Sequence, residues 1–253
     1  MQQFKLPEIY GNTPTLQNII YFSCDETYYN DFGIPLIKSI VSQVSDIGVH
    51  CHIIKKNLDF QPIPFERTTY TWELIDDNFL SSIPLSQSPT TGKYNKEKTA
   101  EVVYYSCARF MQLDKIFSKY HRVLQIDCDS ILWQSFPLAD FLEVTNEVRA
   151  MRKPKSPEKL IASAISFGYG IEGHRFRKLF AETLTDAFST NAYWFIDQDV
   201  MQKVFKFPFQ PIPIFWNTWS FKKRAGYFRT AKGNKKNNDT FNNKRKYWLE
   251  FKV

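Results

Sequence analysis

Glycine is scarce, with nine residues in 253, so the chain has no flexible low-complexity linker and no Gly-rich loop to cradle a phosphate. Long apolar runs are missing too. No stretch approaches the roughly 20 apolar residues needed to cross a bilayer, and Met1 to Tyr10 lack the apolar core of a signal peptide. The four cysteines, at positions 24, 51, 107 and 128, show no zinc or CxxC spacing. These absences predict a cytoplasmic protein in a reducing setting, with no transmembrane segment. The histidines at 50, 52, 121 and 174 show no ligand spacing and receive no functional role.

What is present supports folding. Aromatic residues make up 17% of the chain, enough apolar surface to offset ordering entropy and to argue against disorder. The length suits one α/β domain over residues 1–253 better than two independent ones. Charge is uneven. Residues 221–253 hold eleven Lys or Arg against Asp239 and Glu250, a local balance of +9 in a chain of +7 overall. Residues 1–220 are therefore slightly acidic, and an anionic partner is expected at the basic C-terminal segment.

Apolar periodicity predicts the framework. Asn18 to Cys24 reads as a buried strand, residues 33–46 as a helix ended by Gly48, and Val49 to Ile53 as a second strand. That is the size of a βαβ unit with parallel strands, which gathers functional residues at the carboxyl ends of its strands. The proline-bearing stretch 58–97 reads as a loop-rich insertion. Val103, Cys107, Phe110, Asp114 and Phe117 mark successive turns of one long helix over 99–120. Arg122–Ile126 is a further buried strand, as is the run from Leu160 to Phe167, ending at Gly168. Residues 174–188 read as helical, and Asp197 as the N-cap of a short helix through Phe205. The last 30 residues carry no clear pattern.

The RVLQI strand delivers Asp127, Cys128 and Asp129 at its end. Two carboxylates there can share a hard cation such as Mn²⁺ or Mg²⁺, with a diphosphate supplying further oxygen ligands. Such a cation neutralises charge as a nucleoside diphosphate departs. The tripeptide alone is weak, since a chain with fourteen Asp is expected to hold about one D-x-D by chance. Its place at a strand end is what raises it.

The surrounding motifs resemble glycosyltransferase family 8. Ala108-Arg109-Phe110 followed by Arg122 to Asp129 is similar to the family's "ARF/ARL" helix and "KVLYLDxD" strand. Ser23 to Tyr28 resembles its first-strand "A-x-D-D-N-Y", with Thr27 where the family prefers Asn. Asp197-Gln198-Asp199 resembles "DQDxLN", and Lys232-Gly233-Asn234-Lys235-Lys236 resembles the closing "H-x-x-G-x-x-K". The islands fall in the family's order between about residues 18 and 237.

The resemblance implies a GT-A nucleotide-diphospho-sugar transferase fold with a mostly parallel central sheet, and transfer of a hexose from a UDP-sugar with retention. Asp127 and Asp129 would ligate the metal, and Arg109 would pair with the diphosphate or with those carboxylates. Asp25 would accept a hydrogen bond from the base and Tyr28 would stack on it, a tyrosine equally compatible with the core. Asp197 and Gln198 would hold sugar hydroxyls at the reacting carbon. Lys236, with Lys232 and Gly233, would meet the β-phosphate, for which a solvated basic tail is the plain alternative. The family's metal-binding His is replaced by Thr230, a poor ligand for Mn²⁺. Phe207 to Trp219 and the 58–97 loop are candidate acceptor surfaces.

Two other classes compete. Nucleotidyl transfer also pairs Asp with Mg²⁺, although the 197–199 and closing motifs argue against it. A nucleic-acid or anionic-surface binder would exploit Tyr227, Phe228, Phe241, Tyr247 and Trp248 interleaved with Lys and Arg. The same basic segment would alternatively hold an enzyme peripherally at an acidic membrane. The acceptor, whether glycan, protein or lipid, is not encoded in any motif.

Overall fold

The computed structural model describes residues 4–86, 98–153, 156–205, 211–213, 216–218, 226–231 and 236–252. A short strand β1 (Tyr10–Gly11) precedes the first buried strand, β2 (Asn18–Asp25). A helical turn α1 (Glu26–Tyr28) and one wider π-type turn over Tyr29–Gly33 lead into α2 (Ile34–Val41). The chain returns through β3 (Gly48–Lys55), so Gly48 starts a strand and the helix, read over 33–46, ends at Val41, about five residues early. β2 and β3 are parallel, as the βαβ spacing predicts.

Next come β4 (Thr68–Leu74), α3 (Asp77–Ser81), α4 (Ala100–Met111), α5 (Leu113–Ile116) and β5 (Arg122–Ile126). β4 corrects the reading of 58–97 as loop: its half-polar face hid a strand that pairs in parallel with β3 along its full length. The helix expected over 99–120 is two helices. Gln112 leaves the helical run at φ −97° and ψ 0°, with its buried amide donating to the Glu73 carboxylate at 2.6 Å.

The remainder is β6 (Ser130–Leu132), α6 (Leu138–Thr145), β7 (Val148–Lys153), β8 (Ser156–Phe167), α7 (Gly170–Thr190), α8 (Ile196–Val204), β9 (Asn217–Thr218), β10 (Phe228–Thr230) and α9 (Asp239–Glu250). Seven strands form one sheet in the order β1-β4-β3-β2-β5-β8-β7, parallel at its β4-β3-β2-β5 centre and antiparallel at both edges. The mixed edges explain why an expectation of mostly parallel pairing holds at the centre alone.

The sheet separates two apolar cores. Along β2, Ile19 and Tyr21 enter one core while Ile20, Phe22 and Cys24 enter the other, the period of two expected of a strand. Burial on both faces explains why all eight residues of β3 are buried. A small second sheet, β6-β10-β9, lies beyond the end of β5. The C-terminal basic segment, unpatterned in sequence, contains α9, which buries Phe241 and Trp248 two turns apart and packs on α2. Lys38 of α2 donates to the carbonyls of Leu249 and Phe251 at 2.9 and 2.6 Å, satisfying acceptors at the end of α9.

Candidate active site

The carboxyl ends of β2 and β5 are neighbours in the parallel centre of the sheet, and each delivers carboxylates there. Asp25 ends β2 and caps the following turn: its Oδ1 accepts from the Tyr28 amide at 2.7 Å. That bond fixes the turn and holds Tyr28 at the rim of a cavity of about 530 Å³. Tyr28 is 37% exposed and its ring leans on Phe32, with centroids 5.1 Å apart, so it faces the cavity rather than the core.

Asp127 leaves β5 into the same cavity, and its amide donates to the Ser163 carbonyl on β8 at 3.1 Å. Arg109, on the last turn of α4, bonds Asp127 Oδ1 through Nη1 and lies 3.5 Å from Asp197 Oδ2 through Nη2. Burial opposes the guanidinium charge, but Asp127 and Asp197 outweigh it and hold its pKa above the ordinary value. Arg109 thus joins strand end, helix α4 and helix α8 in one charge-assisted cluster.

Asp197 is almost fully buried. It sits inside the first turn of α8, and the N-cap position expected for it belongs to Phe195, so its capping role is replaced by the contact with Arg109. Gln198, on the same turn, also lines the cavity. Phe195 adopts φ +79°, a left-handed conformation uncommon for a side chain of this size and frequent where structure is constrained by function.

Asp129 pairs with Lys236, Nζ to Oδ2 at 3.0 Å. The same ammonium donates to Tyr28 Oη at 2.5 Å, at the hydroxyl end of the ring and 4.5 Å from its centroid. Burial works against the Lys236 charge, and Asp129 with Tyr28 more than offsets it, raising the pKa. Lys232 and Gly233 lie outside the described residues, as does most of the Phe207 to Trp219 run.

Sequence motifs did not single out Glu101, Tyr105, Trp194 or Phe195, all of which line the cavity. Glu101 and Tyr105 stand eight and four residues before Arg109, so helical spacing already put them on its face. Glu101 accepts from Lys56 at 2.9 Å and from Tyr105 at 2.7 Å, and these contacts lower its pKa. No sequence signal marks the left-handed backbone of Phe195.

The donor set suits a hard divalent cation only in part. Five carboxylates line the cavity, from Asp25, Glu101, Asp127, Asp129 and Asp197, against Arg109 and Lys236. A bound diphosphate beside so much negative charge needs added positive charge. Asp127 and Asp129 offer two oxygen ligands, as Mg²⁺ sites completed by substrate phosphates do. Thr230 does not offer a third. It lies opposite Ser130 in the β6–β10 ladder, wholly buried, with its hydroxyl 2.7 Å from Ser130 Oγ and donating to Asn217 Oδ1 at 2.8 Å. Among the described residues no group of three or more His, Cys, Asp or Glu is arranged to hold a metal. The residues therefore fit a cation as a pair of ligands shared with a diphosphate.

No protein-family model and no curated protein matches the sequence. Solved structures do match. The glycosyltransferase GlyE of Streptococcus pneumoniae TIGR4 superposes with a TM-score of 0.57 at 15% identity, over 94% of this chain and 61% of that one. Its apo form gives 0.52 at 13%, over 85% and 54%. The galactosyltransferase LgtC, solved with donor and acceptor sugar analogs, gives 0.56 at 12%, over 93% of this chain and 97% of that one. The bifunctional glycosyltransferase WbbM gives 0.56 at 15%, with 91% of this chain on 50% of that one. This chain thus spans between half and two thirds of the GlyE and WbbM chains and nearly the whole of LgtC. The shared architecture is the GT-A fold.

Proposed function

We propose that this chain is a retaining glycosyltransferase that moves a hexose from a UDP-sugar to an acceptor hydroxyl, assisted by Mn²⁺ or Mg²⁺ at Asp127 and Asp129. One observation carries the reading: on a GT-A fold, Asp25, Tyr28, Arg109, the two D-x-D carboxylates, Asp197, Gln198 and Lys236 all line a single cavity. These residues come from five separate stretches of sequence, brought together by the adjacent ends of β2 and β5 and by the ion pairs of Arg109 and Lys236. UDP, rather than another nucleotide, rests on the family resemblance as a whole, since no motif in the chain by itself reads uracil.

Each residue has a chemical task in this reading. Tyr28 offers its ring to the base, and Asp25 spends one oxygen on the Tyr28 amide, leaving the other to accept from the base. Lys236 meets the β-phosphate, with Lys232 and Gly233 supporting the same end. Arg109 orients Asp127 and Asp197, and so couples the diphosphate end to the sugar end. Asp197 and Gln198 hold sugar hydroxyls beside the anomeric carbon, where their dipoles favour an oxocarbenium-like centre. A bound cation supplies charge neutralisation of the departing diphosphate. With no protein nucleophile assigned, the acceptor is deprotonated by the leaving phosphate on the same face, and the protein contributes positioning. The acceptor is a glycan, protein or lipid hydroxyl.

Nucleotidyl transfer is less favoured, because Asp197 and Gln198 share the cavity with the D-x-D pair and have no part in attack on an α-phosphate. The basic C-terminal segment remains an anionic-surface candidate. No helix among the described residues is long and apolar enough to cross a membrane.

Calorimetric titration of UDP with and without Mn²⁺, on wild type and on Asp127→Asn/Asp129→Asn, tests the reading. Metal-dependent binding that disappears in the double variant is expected, followed by hydrolysis of one UDP-sugar. Absence of UDP binding at any metal concentration would remove the proposal.

A further inference from the structure

Asp127 and Asp129 both face cations supplied by the chain itself. Arg109 bonds Asp127, and Lys236 stands 3.0 Å from Asp129. The Lys236 ammonium is held from three sides: by Asp129, by the Tyr28 phenol at 2.5 Å, and by the Phe32 ring at 5.4 Å. Thr230, engaged with Ser130 and Asn217, adds no ligand to the pair Asp127 and Asp129. A cation arriving alone must therefore displace Lys236 from Asp129 and accept water for most of its coordination sphere.

We propose that Lys236 is an internal competitor for the metal position, so that the divalent cation enters the site together with the nucleoside diphosphate rather than ahead of it. The inference rests on the functional reading above and adds an order of addition to it. A diphosphate changes the balance in two ways. It brings phosphate oxygens that complete the cation's sphere, and it offers Lys236 an anion to exchange for Asp129. The lysine then leaves Asp129 and the Tyr28 hydroxyl together, so freeing the metal position and engaging the diphosphate are a single event. By linkage, the factor by which UDP tightens Mn²⁺ binding equals the factor by which Mn²⁺ tightens UDP binding.

The test follows the loss of the free Mn²⁺ electron paramagnetic resonance signal on titration, with and without saturating UDP, on wild type, Lys236→Met, Lys236→Arg and Tyr28→Phe. Wild type should bind Mn²⁺ about tenfold or more weakly without UDP than with it. Lys236→Met should bind Mn²⁺ alone about threefold tighter than wild type, the scale of one partly exposed ion pair. In that variant the tightening by UDP should shrink. Lys236→Arg, which keeps the competing charge, should stay close to wild type, and Tyr28→Phe, which loosens the lysine, should move towards Lys236→Met. Equal Mn²⁺ affinity with and without UDP in wild type would overturn the proposal. So would Lys236→Met binding Mn²⁺ alone no more tightly than wild type. Failure of UDP to bind any of the proteins would instead remove the glycosyltransferase reading, and the metal-alone comparison would still decide the role of the lysine.

Discussion

Arg109 bonds Asp127 across the gap between the last turn of α4 and the end of β5, and both side chains are largely withdrawn from solvent. Its second nitrogen reaches Asp197 on α8. One planar, forked cation therefore fixes the relative position of the proposed metal-binding and sugar-binding carboxylates, a task for which a lysine has the charge but not the geometry. The cluster stabilises the fold and arranges the site at once.

Arg109→Met should accordingly lose both. Removing one member of a buried ionic cluster leaves the others uncompensated, and a destabilisation of about 3–5 kcal/mol is expected in urea or thermal unfolding. Arg109→Lys should recover most of the stability but little of the turnover, because one ammonium cannot bridge Asp127 and Asp197 as the guanidinium does. Full activity in Arg109→Lys would place the residue in a structural role only.

Gln198 lines the cavity on the α8 turn that carries Asp197, and its uncharged amide can both donate and accept a hydrogen bond. Gln198→Ala should lower kcat about 100-fold, the usual scale for removing one preorganised polar group at a transition state. The Kd for UDP with Mn²⁺ should remain close to wild type, since the nucleoside end is untouched. Steady-state kinetics beside calorimetry separates the two; a loss confined to UDP affinity would move Gln198 away from the sugar.

Thr230 provides a contrast between ligand and scaffold. Its hydroxyl is buried and satisfied by Ser130 and Asn217, whose amide in turn donates to the Ser163 carbonyl at 3.2 Å. Thr230→Val keeps the shape and orphans its partners, which should cost about 1–3 kcal/mol of unfolding free energy. The Mn²⁺ dependence of UDP binding should not change. A weakened metal response in a folded Thr230→Val protein would restore a ligand role to this position.

The site and the fold were legible in sequence to different depths. Strands β2 and β5 are nearly continuous apolar runs because the sheet is covered on both faces, and β3 shows Val49, Cys51 and Ile53 in alternation, so the strand ends with Asp25 and Asp127 could be located from hydropathy alone. β4 was invisible because its neighbours in sequence carry prolines and its own faces mix Thr, Tyr and Glu, which the buried polar cluster around Glu73 and His52 accommodates only in three dimensions. The break at Gln112 has the same origin, a side-chain bond to a distant strand. Asp197 was readable as a helix-start residue by composition, yet the cap fell on Phe195, whose left-handed backbone has no sequence signature. In α9, the apolar pair Phe241 and Trp248 is sparse beside the basic residues around it, and packing on α2 supplies what periodicity did not.

His50 gives the chain a predictable sensitivity to acid. The imidazole is fully buried on β3, with Nδ1 2.8 Å from Thr69 Oγ1 and Nε2 2.9 Å from Thr71 Oγ1. Burial, with the nearby His52 and His121 adding to it, pushes its pKa well below 6.5. The folded protein therefore holds His50 neutral where the unfolded chain would protonate it. Between pH 6.5 and that lowered value the unfolded state binds the extra proton, so stability falls as pH falls, by up to about 1.4 kcal/mol per unit for this one group. Above pH 6.5 both states are neutral at His50 and its contribution is flat. Urea unfolding from pH 7.5 to 5 should show this slope, partly shared with His121, whose pKa is also lowered by burial. His50→Gln, which keeps polar atoms against the two threonines without a titrating proton, should flatten the profile. An unchanged slope in that variant would assign the acid sensitivity to other groups.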